Sequence, residues 1–335
     1  MKKTVLFLML VSVLLFSKEY KLGEGYQLGK TPLYVGGYFS LDYANYSKGD
    51  LQQASLNDMA LLSYGSYSKF AYMAEMEFKN YYVKTYDNGK KTTTKDTKLY
   101  AERLYVDYNI NENFLTRVGK YNSNVGYWNL TPINVLRDTT SSPATARIIF
   151  PKYTTGADLS YHFFNASELA LNITLQNNNS LDEEYNNFYI KKHFGMGLEY
   201  RYDNFSVKIN GGYFHKKDHT QAYVDNYYGY LSFLYNNDTL KLMGGLGHRD
   251  DNKKDAVKLS TYLQATYEIA SHHYPVIRLE HYNAQINVEN NVTKDSSVIF
   301  GYTYRPIYPV ALKVEYQVHS NKILDRFLAS FSVMF

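Results

Sequence analysis

Apolar and polar residues alternate along most of this chain in segments of about ten residues, and no other feature constrains its fold as strongly. Within residues 257–269, Leu259 and Leu263 share one face with other apolar or small residues, whereas Gln264 and Glu268 lie on the opposite face. Successive side chains of a β-strand point to opposite sides of its sheet. The pattern therefore predicts strands with one apolar and one polar face, long enough to cross a bilayer when tilted.

The predicted strands are joined by connections that alternate between short and long. The short connections carry the Asn, Asp, Gly, Ser and Pro residues that tight turns require. The long connections are polar and lie near residues 44–58, 84–97, 122–152, 177–190, 215–223, 249–256, 286–296 and 319–322. A water-soluble sandwich has no reason to place every long loop at one end, whereas transmembrane barrels combine short periplasmic turns with long extracellular loops.

These features predict an all-β protein, a transmembrane antiparallel β-barrel. Sixteen strands are the first choice, and fourteen or eighteen remain open if a segment has been split or merged. Tyrosine is abundant, with 37 residues beside 18 Phe, which suits rings that meet lipid while their hydroxyls reach the headgroups. The predicted strands lie near residues 33–43, 59–66, 69–83, 98–109, 114–121, 153–164, 168–176, 191–202, 205–214, 224–235, 239–248, 257–269, 275–285, 297–305, 309–318 and 323–335.

The first residues are typical of a secretory signal. Lys2 and Lys3 precede an apolar run that ends at Phe16, and Ser17 is a small residue suited to the cleavage site. The predicted domains are therefore a signal peptide, 1–17, and a barrel, 18–335. The cleavage point is open by a few residues, because Leu15 is not the usual small residue at its position.

The C-terminal segment forms a strand with one apolar face that ends in Phe335. Phe327, Ala329, Phe331 and Val333 share this face. The segment resembles the C-terminal signal of outer-membrane barrels, which implies barrel assembly machinery and outer-membrane lipid or lipopolysaccharide as partners and Phe335 as the assembly signal. The alternative is an ordinary closing strand.

Several classes of function have no support in the sequence. Cysteine is absent, which excludes disulfides and thiolate chemistry. The formal net charge is +4 and no Lys/Arg-rich block occurs, so nucleic-acid binding has no electrostatic basis. No nucleophile motif is found, and neither a catalytic set nor a cofactor is predicted. His215 and His219, four residues apart, are a weak metal signal at the start of a polar loop.

The longest predicted loop carries a resemblance to a known family. Gly119-Lys120-Tyr121 leads into Gly126-Tyr127-Trp128-Asn129, and Phe150-Pro151 precedes Thr155-Gly156. These residues resemble bacterial porins of the phosphate-selective O and P type. The resemblance implies a sixteen-stranded barrel in the outer membrane of a Gram-negative bacterium, a homotrimer, and a third loop that folds into the lumen. The dense lysine clusters of such phosphate channels are missing, so phosphate selectivity is not implied.

Loop 122–152 is therefore a candidate constriction loop. Its prolines, Pro132, Pro143 and Pro151, stiffen the backbone, and the single Trp128 is a candidate anchor to the wall. The alternative places this loop over the outer rim as a lid or a surface epitope.

Charged residues on the polar faces and in this loop are the candidate pore-lining groups. Opposite charges across a water-filled constriction create a field that sorts solutes by charge. Basic residues are in excess, which favours a weak preference for anions; the alternative is that these charges pair along the wall and only solvate the lumen. The candidates are Arg103, Arg117, Lys120, Arg137, Asp138, Arg147, Lys152, Lys208, Lys241, Arg278, Glu280, Lys313 and Glu315.

The function expected from these features is passive diffusion of small hydrophilic solutes and ions through a water-filled channel. One alternative is a substrate-specific channel with an internal site for a nutrient anion or a sugar. A second alternative is a closed barrel with an adhesive or enzymatic role.

Overall fold

A computed structural model describes residues 17–47, 50–163, 168–217, 222–251, 256–285 and 288–335. Apart from Ser17, the predicted signal segment 1–17 lies outside the described residues, so the signal peptide stays a prediction. The described residues form nineteen strands, one short helix and a few single turns of 3₁₀ helix.

The strands are listed here once in chain order. They are β1 (Ser17–Lys21), β2 (Gly25–Leu28), β3 (Leu33–Tyr46), β4 (Gln52–Tyr67), β5 (Phe70–Asp87), β6 (Lys90–Thr94), β7 (Leu99–Asn109), β8 (Phe114–Asn122), β9 (Tyr153–Phe163), β10 (Glu168–Gln176), β11 (Ile190–Tyr202), β12 (Phe205–Lys217), β13 (Tyr223–Asn236), β14 (Leu240–Asp251), β15 (Val257–Tyr267), β16 (His273–Ala284), β17 (Lys294–Ile307), β18 (Val310–His319) and β19 (Arg326–Met334).

Sixteen of these strands form a closed antiparallel barrel. Each of β3 to β5 and β7 to β19 pairs with its neighbour in chain order, and β19 pairs with β3 to complete the circle. The remaining strands lie outside the circle: β1 and β2 form a hairpin against the start of β3, and β6 pairs with the far end of β5. The predicted architecture and strand number are confirmed.

Two predicted loops are partly wrong. β4 begins at Gln52, so most of predicted loop 44–58 is strand. β5 continues to Asp87 and pairs with β6 inside predicted loop 84–97. In these extensions the regular alternation of apolar and polar residues is lost. Their backbone groups are still paired by the ladder, which is why the strands continue without a hydrophobic pattern.

The outer surface of the barrel is apolar and the inner surface is polar. In β16, Ile277 and Leu279 are 44% and 48% exposed, whereas Arg278 between them is 1% exposed. This is the reverse of a soluble protein and suits a wall between lipid and a polar interior. Other exposed residues of the band include Leu104, Val106, Val118, Met196, Leu198, Ile209, Leu231, Leu246, Leu263 and Leu312.

Exposed aromatic residues border this band near the short turns. They include Tyr67, Phe70, Tyr108, Phe163, Tyr202, Phe205, Tyr267 and Tyr308. Aromatic girdles at this level are typical of barrels whose rims lie among lipid headgroups. Among the described helices, none is long and apolar enough to span a membrane.

The backbone of Phe335 is paired with β3. Its carbonyl accepts a hydrogen bond from the amide of Gly37 at 2.7 Å, and its amide donates to the carbonyl of Gly37 at 2.8 Å. A Cβ on the neighbouring Gly36 would lie 2.5 Å from the Phe335 carbonyl oxygen, so this close approach requires glycine. The role of Phe335 as an assembly signal stays a prediction.

The outward face yields a stability prediction. Replacing Met196, 62% exposed in the middle of β11, by Arg should lower the free energy of unfolding in lipid by about 2–4 kcal/mol, because a guanidinium would enter hydrocarbon. Urea unfolding in lipid vesicles measures this change. The control, Thr93→Arg in the exposed strand β6, should be within about 0.5 kcal/mol of the wild type. Equal losses in both variants would contradict a lipid-facing β11.

Candidate functional site

Residues 123–152, which connect β8 to β9, fold into the interior of the barrel. Val135, Ile149 and Phe150 are at most 1% exposed and pack against wall residues, including Tyr38 of β3 and Tyr230 of β13. A lid over the rim would leave these side chains in water. The predicted loop 122–152 therefore lies in the lumen.

Short helical turns and one asparagine shape this loop. The Asn129 side-chain amide donates to the carbonyls of Ser123 at 2.7 Å and Lys152 at 3.0 Å, which ties the two ends of the loop together. The backbone groups between these ends are satisfied partly by local turns, as a buried segment requires. The turns are Trp128–Leu130, Asn134–Leu136 and helix α1 (Thr145–Ile148).

Trp128 lies between the loop and the wall. Its ring is 5% exposed and meets the edge of Tyr262 of β15, with ring centres 6.4 Å apart. The guanidinium groups of Arg137 and Arg278 lie 5.5 and 5.6 Å from the ring centre. Cations over an indole ring attract its π-system. These contacts support the anchor role predicted for Trp128.

Glu315 and Arg278 hold the middle of the loop. The Glu315 carboxylate accepts hydrogen bonds from the backbone amides of Thr140 and Ser141, the latter at 2.9 Å, and from the Ser141 hydroxyl at 2.6 Å. Arg278 donates to the hydroxyls of Thr139 at 2.7 Å and Ser141 at 2.6 Å. Both charged groups are thereby used to fix the loop.

Three predicted lysines are also used in this way. Lys241 forms an ion pair with Asp138 at 2.9 Å, and Lys313 donates to the backbone carbonyl of Asn134. Lys208 donates at 2.8 Å to a side-chain carbonyl near the start of the loop and pairs with a wall glutamate at 3.1 Å. Asp138 is therefore an anchor of the loop.

Glu280 and Arg305 complete the attachment. Glu280 accepts from the backbone amide of Ala144 at 2.9 Å. Arg305 donates to the backbone carbonyls of Val135 and Arg137, the latter at 2.7 Å. Sequence analysis did not count Arg305 among the candidates, because it is the last residue of predicted strand 297–305, whereas β17 continues to Ile307.

Three further candidates are bound within the wall. Arg103 forms an ion pair with Glu75 on the neighbouring strand. Arg117 makes a two-pronged contact with Asp107, at 2.6 and 2.8 Å. Lys120 is 1% exposed and donates to a backbone carbonyl of β7 at 2.7 Å. For these residues the geometry fits the alternative of wall pairing.

The remaining candidates, Arg137, Arg147 and Lys152, border a cavity of about 280 Å³ between the loop and the opposite wall. The wall contributes Lys79 of β5 and Asp58 of β4. We call this space the aperture. Its other lining residues are Asn57, Trp128, Asn129, Ser142, Ala146, Tyr185, Asn186 and Asn187.

A local irregularity shapes the wall side of the aperture. Leu56 of β4 pairs with Tyr82 of β5, but the next pair is Asp58 with Lys79, so Asn57 and two residues of β5 have no partner in register. Asn80 adopts a left-handed backbone with φ of 53°. Bulges of this kind bend a strand and redirect its side chains. Asp58 and Lys79 lie on the regular side of this irregularity, on the same faces as Ala60 and Glu77. Sequence analysis placed Asp58 in a loop and did not count Lys79 among the candidates.

A second loop also folds inward. In the connection between β10 and β11, the Tyr185 hydroxyl donates to Glu77 and, at 3.0 Å, to Glu102. Asn187 donates to the carbonyls of Arg147 at 3.0 Å and Phe150 at 2.9 Å. Sequence analysis treated this segment only as a polar surface loop. Its Asn-rich composition was the available signal, because amide side chains can replace backbone partners.

Charged groups interact where the two inward loops meet the wall. Lys152 lies 3.9 Å from Glu102, and its ammonium is 4.7 Å from the ring centre of Tyr153. Burial lowers the pKa of Lys152 below its ordinary value, although the nearby Glu102 opposes this change. Burial and the same carboxylate raise the pKa of Tyr185 well above its ordinary value. Tyr185 therefore stays a hydrogen-bond donor at neutral pH.

The structure does not test the weak metal signal of His215 and His219. Within the described parts of the chain, no group of three or more His, Cys, Asp or Glu residues is arranged to hold a metal. His215 hydrogen-bonds to Asp225 at 2.7 Å, and His219 lies outside the described residues.

Solved structures with the same architecture are outer-membrane channels. The outer membrane channel DcaP of Acinetobacter baumannii is 12% identical, with 90% of this chain and 97% of that chain covered and a TM-score of 0.59. OmpF of Salmonella typhi in complex with daunomycin is 11% identical, with coverages of 90% and 97% and a TM-score of 0.60. An anion-selective porin from Comamonas acidovorans is 11% identical, with coverages of 90% and 98% and a TM-score of 0.60.

This chain has the porin fold. At these identities the likeness concerns the fold alone, and it confirms the predicted sixteen-stranded porin architecture. No family model and no curated protein match the sequence. The finer resemblance to porins of the O and P type stays a prediction.

The loop attachment can be tested at Glu315. Glu315→Gln should lower the free energy of unfolding by about 1–3 kcal/mol, because an amide nitrogen replaces an acceptor and leaves a buried donor unpaired. Urea titration of the refolded protein, followed by Trp128 fluorescence, measures the change. Glu112→Gln, an exposed residue in a short turn, is the matched control and should have no effect. An unchanged midpoint in Glu315→Gln would show that the loop does not depend on this carboxylate.

Proposed function

We propose that this protein is an outer-membrane porin through which small hydrophilic solutes and ions diffuse passively, with a preference for anions. The observation that carries the proposal is the aperture, a polar cavity between a fixed lumen loop and the wall. The exterior is apolar, and the interior is lined with charged and amide side chains. A polar path through an apolar shell is what a hydrophilic solute needs to cross hydrocarbon.

The charges at the aperture support anion preference. Lys79, Arg137, Arg147 and Lys152 border it, against the single carboxylate of Asp58. Low-dielectric walls concentrate the field of such groups, raising the local concentration of counter-ions. The other basic candidates are held by the loop or by wall carboxylates, so they contribute less to the path.

The cellular setting follows from the same features. We propose export through the N-terminal signal, insertion into the outer membrane of a Gram-negative bacterium with the help of the barrel assembly machinery, and contact with lipid and lipopolysaccharide. A homotrimer is proposed from the resemblance to porins. Of the solved neighbours, an OmpT of Vibrio cholerae is described in a trimer form.

A narrow, substrate-specific channel is the second candidate. The two inward loops fill much of the lumen, and the aperture measures only about 280 Å³. A narrow path with several converging polar groups favours recognition over free diffusion. A barrel that is closed altogether, with an adhesive or enzymatic role, would give no conductance.

Planar-bilayer recording tests the proposal directly. The refolded full-length protein should open in steady steps, and in a tenfold KCl gradient the reversal potential should have the sign expected for chloride preference. Raising the salt concentration should reduce this preference, because screening weakens the field of exposed cations. A barrel without conductance would overturn the proposed channel. A cation-selective reversal potential would overturn the proposed preference for anions.

Deleting residues 130–145 should raise the single-channel conductance, because most of the loop that narrows the lumen would be removed. The same deletion removes Arg137, so anion preference should fall as well. The matched control is deletion of the exposed β5–β6 hairpin tip, residues 88–93, which lies outside the circle of barrel strands and should leave the conductance unchanged. Equal conductance in wild type and loop deletion would mean that ions do not pass the aperture.

A further inference from the structure

We infer that the aperture is a binding site for small solutes that carry two or more oxyanion groups, such as carboxylates or phosphates. The inference rests on the proposed channel function and names the solute class that the channel would select. It depends on the arrangement of four cations around one small cavity and on the way each of these cations is held.

Two of the cations are without an acidic partner. Among the described residues, no carboxylate oxygen lies within 4.0 Å of the charged atoms of Lys79 or Arg137. Lys79 is exposed to the cavity, and its ammonium lies 5.1 Å from the ring centre of Tyr185. Arg137 uses its Nε to donate to the carbonyl of Thr131 at 2.7 Å. These two side chains therefore retain donors for a solute.

The other two cations have only distant partners. Arg147 lies 3.7 Å from Glu289, and Lys152 lies 3.9 Å from Glu102. These separations exceed the usual 2.7–2.9 Å of a charge-assisted hydrogen bond. The Arg147 and Lys152 side chains are 43% and 31% exposed. An oxyanion in the cavity can therefore approach both without displacing a short ion pair.

The second inward loop holds the backbone of two of these residues in place. The backbone carbonyl of Arg147 accepts from Asn187 at 3.0 Å, and the backbone amide of Lys152 donates to the same asparagine at 2.8 Å. Asn187 in turn belongs to the second inward loop. A backbone that is already fixed loses less conformational entropy when a ligand binds to its side chains, which lowers the cost of binding.

The number of cations indicates a multivalent ligand. Four cations and one carboxylate, Asp58, line the cavity, and Glu289 and Glu102 lie 3.7 and 3.9 Å from Arg147 and Lys152. Lys79 and Arg137 are the two cations without such a partner, and a singly charged solute would compensate only one of them at close range. A solute with two or three oxyanion groups would compensate both. The cavity of about 280 Å³ admits solutes of that size but not a large polyanion.

The single tryptophan gives a readout that does not require conductance. Trp128 is the one Trp of the chain and lines the aperture. Titrating the refolded full-length barrel in detergent at low ionic strength with tricarballylate or pyrophosphate should change its emission saturably. Gluconate, with one carboxylate, and neutral sorbitol are the control solutes. Half-saturation should occur at a concentration at least tenfold lower for the multivalent anions than for gluconate.

Variants at the aperture test which residues bind. Lys79→Gln should raise the half-saturation concentration about fivefold, the effect of losing one exposed ion pair at the upper end of the usual range. Arg147→Gln should do the same and serves as the second variant. Lys90→Gln makes the same charge change at the tip of the exposed β5–β6 hairpin and should leave the titration unchanged.

The possible outcomes separate this inference from the proposed function. Saturation by only one of the two anions supports the site and assigns it to carboxylates or to phosphates. No saturation, or equal half-saturation for gluconate and the multivalent anions, overturns the site even when the bilayer shows anion-selective conductance. Saturation without any conductance supports the site and overturns the channel. An unchanged titration in both Lys79→Gln and Arg147→Gln overturns the assignment to the aperture.

Discussion

The pairing of β19 with β3 is the contact on which the rest of the structure depends. Hydrocarbon offers no hydrogen-bond partner to a backbone amide or carbonyl, so a sheet that crosses it must have no free edge. Once the sheet is closed, every strand has one face toward lipid and one toward the interior. The apolar face of each strand must then point outward, which leaves charged side chains such as Arg278 and Lys313 inside.

These inward charges and the third loop stabilise each other. Burying a charge is costly unless it is paired and hydrogen-bonded, and a loop in the lumen has backbone groups that its own short turns do not satisfy. Arg278, Glu280, Lys313 and Glu315 donate to or accept from loop atoms that would otherwise lie unpaired. The loop is therefore part of the wall's hydrogen bonding, and its position is set by many contacts on β14 to β18.

The sequence predicted the architecture well and the site only in part. Strand number, the order of turns and loops and the inward loop all follow from the alternation of side chains and from one resemblance, because the bilayer imposes the same rule on every strand. Alternation also placed Arg278 and Lys313 inside, but it carries no information on which loop atom each would meet. Lys79 shares the inward face of Glu77 in unbroken register, but alternation gave no reason to single it out from the other polar residues of that face. The second inward loop escaped prediction because its contacts join segments far apart in the chain.

The proposed anion preference rests on the local charge of the aperture and not on the net charge of the chain. A formal net charge of +4 on 335 residues is small, and most basic side chains of the lumen are committed to carboxylates or carbonyls within hydrogen-bond distance. The cations of the aperture differ because the loop that carries Arg137 and Arg147 is fixed on the far wall, where its own carboxylate, Asp138, is paired with Lys241. Fixing the loop thus keeps the Asp138 carboxylate away from the aperture, whereas Arg137 and Arg147 border it. In the proposed channel, the same contacts that stabilise the loop would therefore also set the sign of the field that a solute meets.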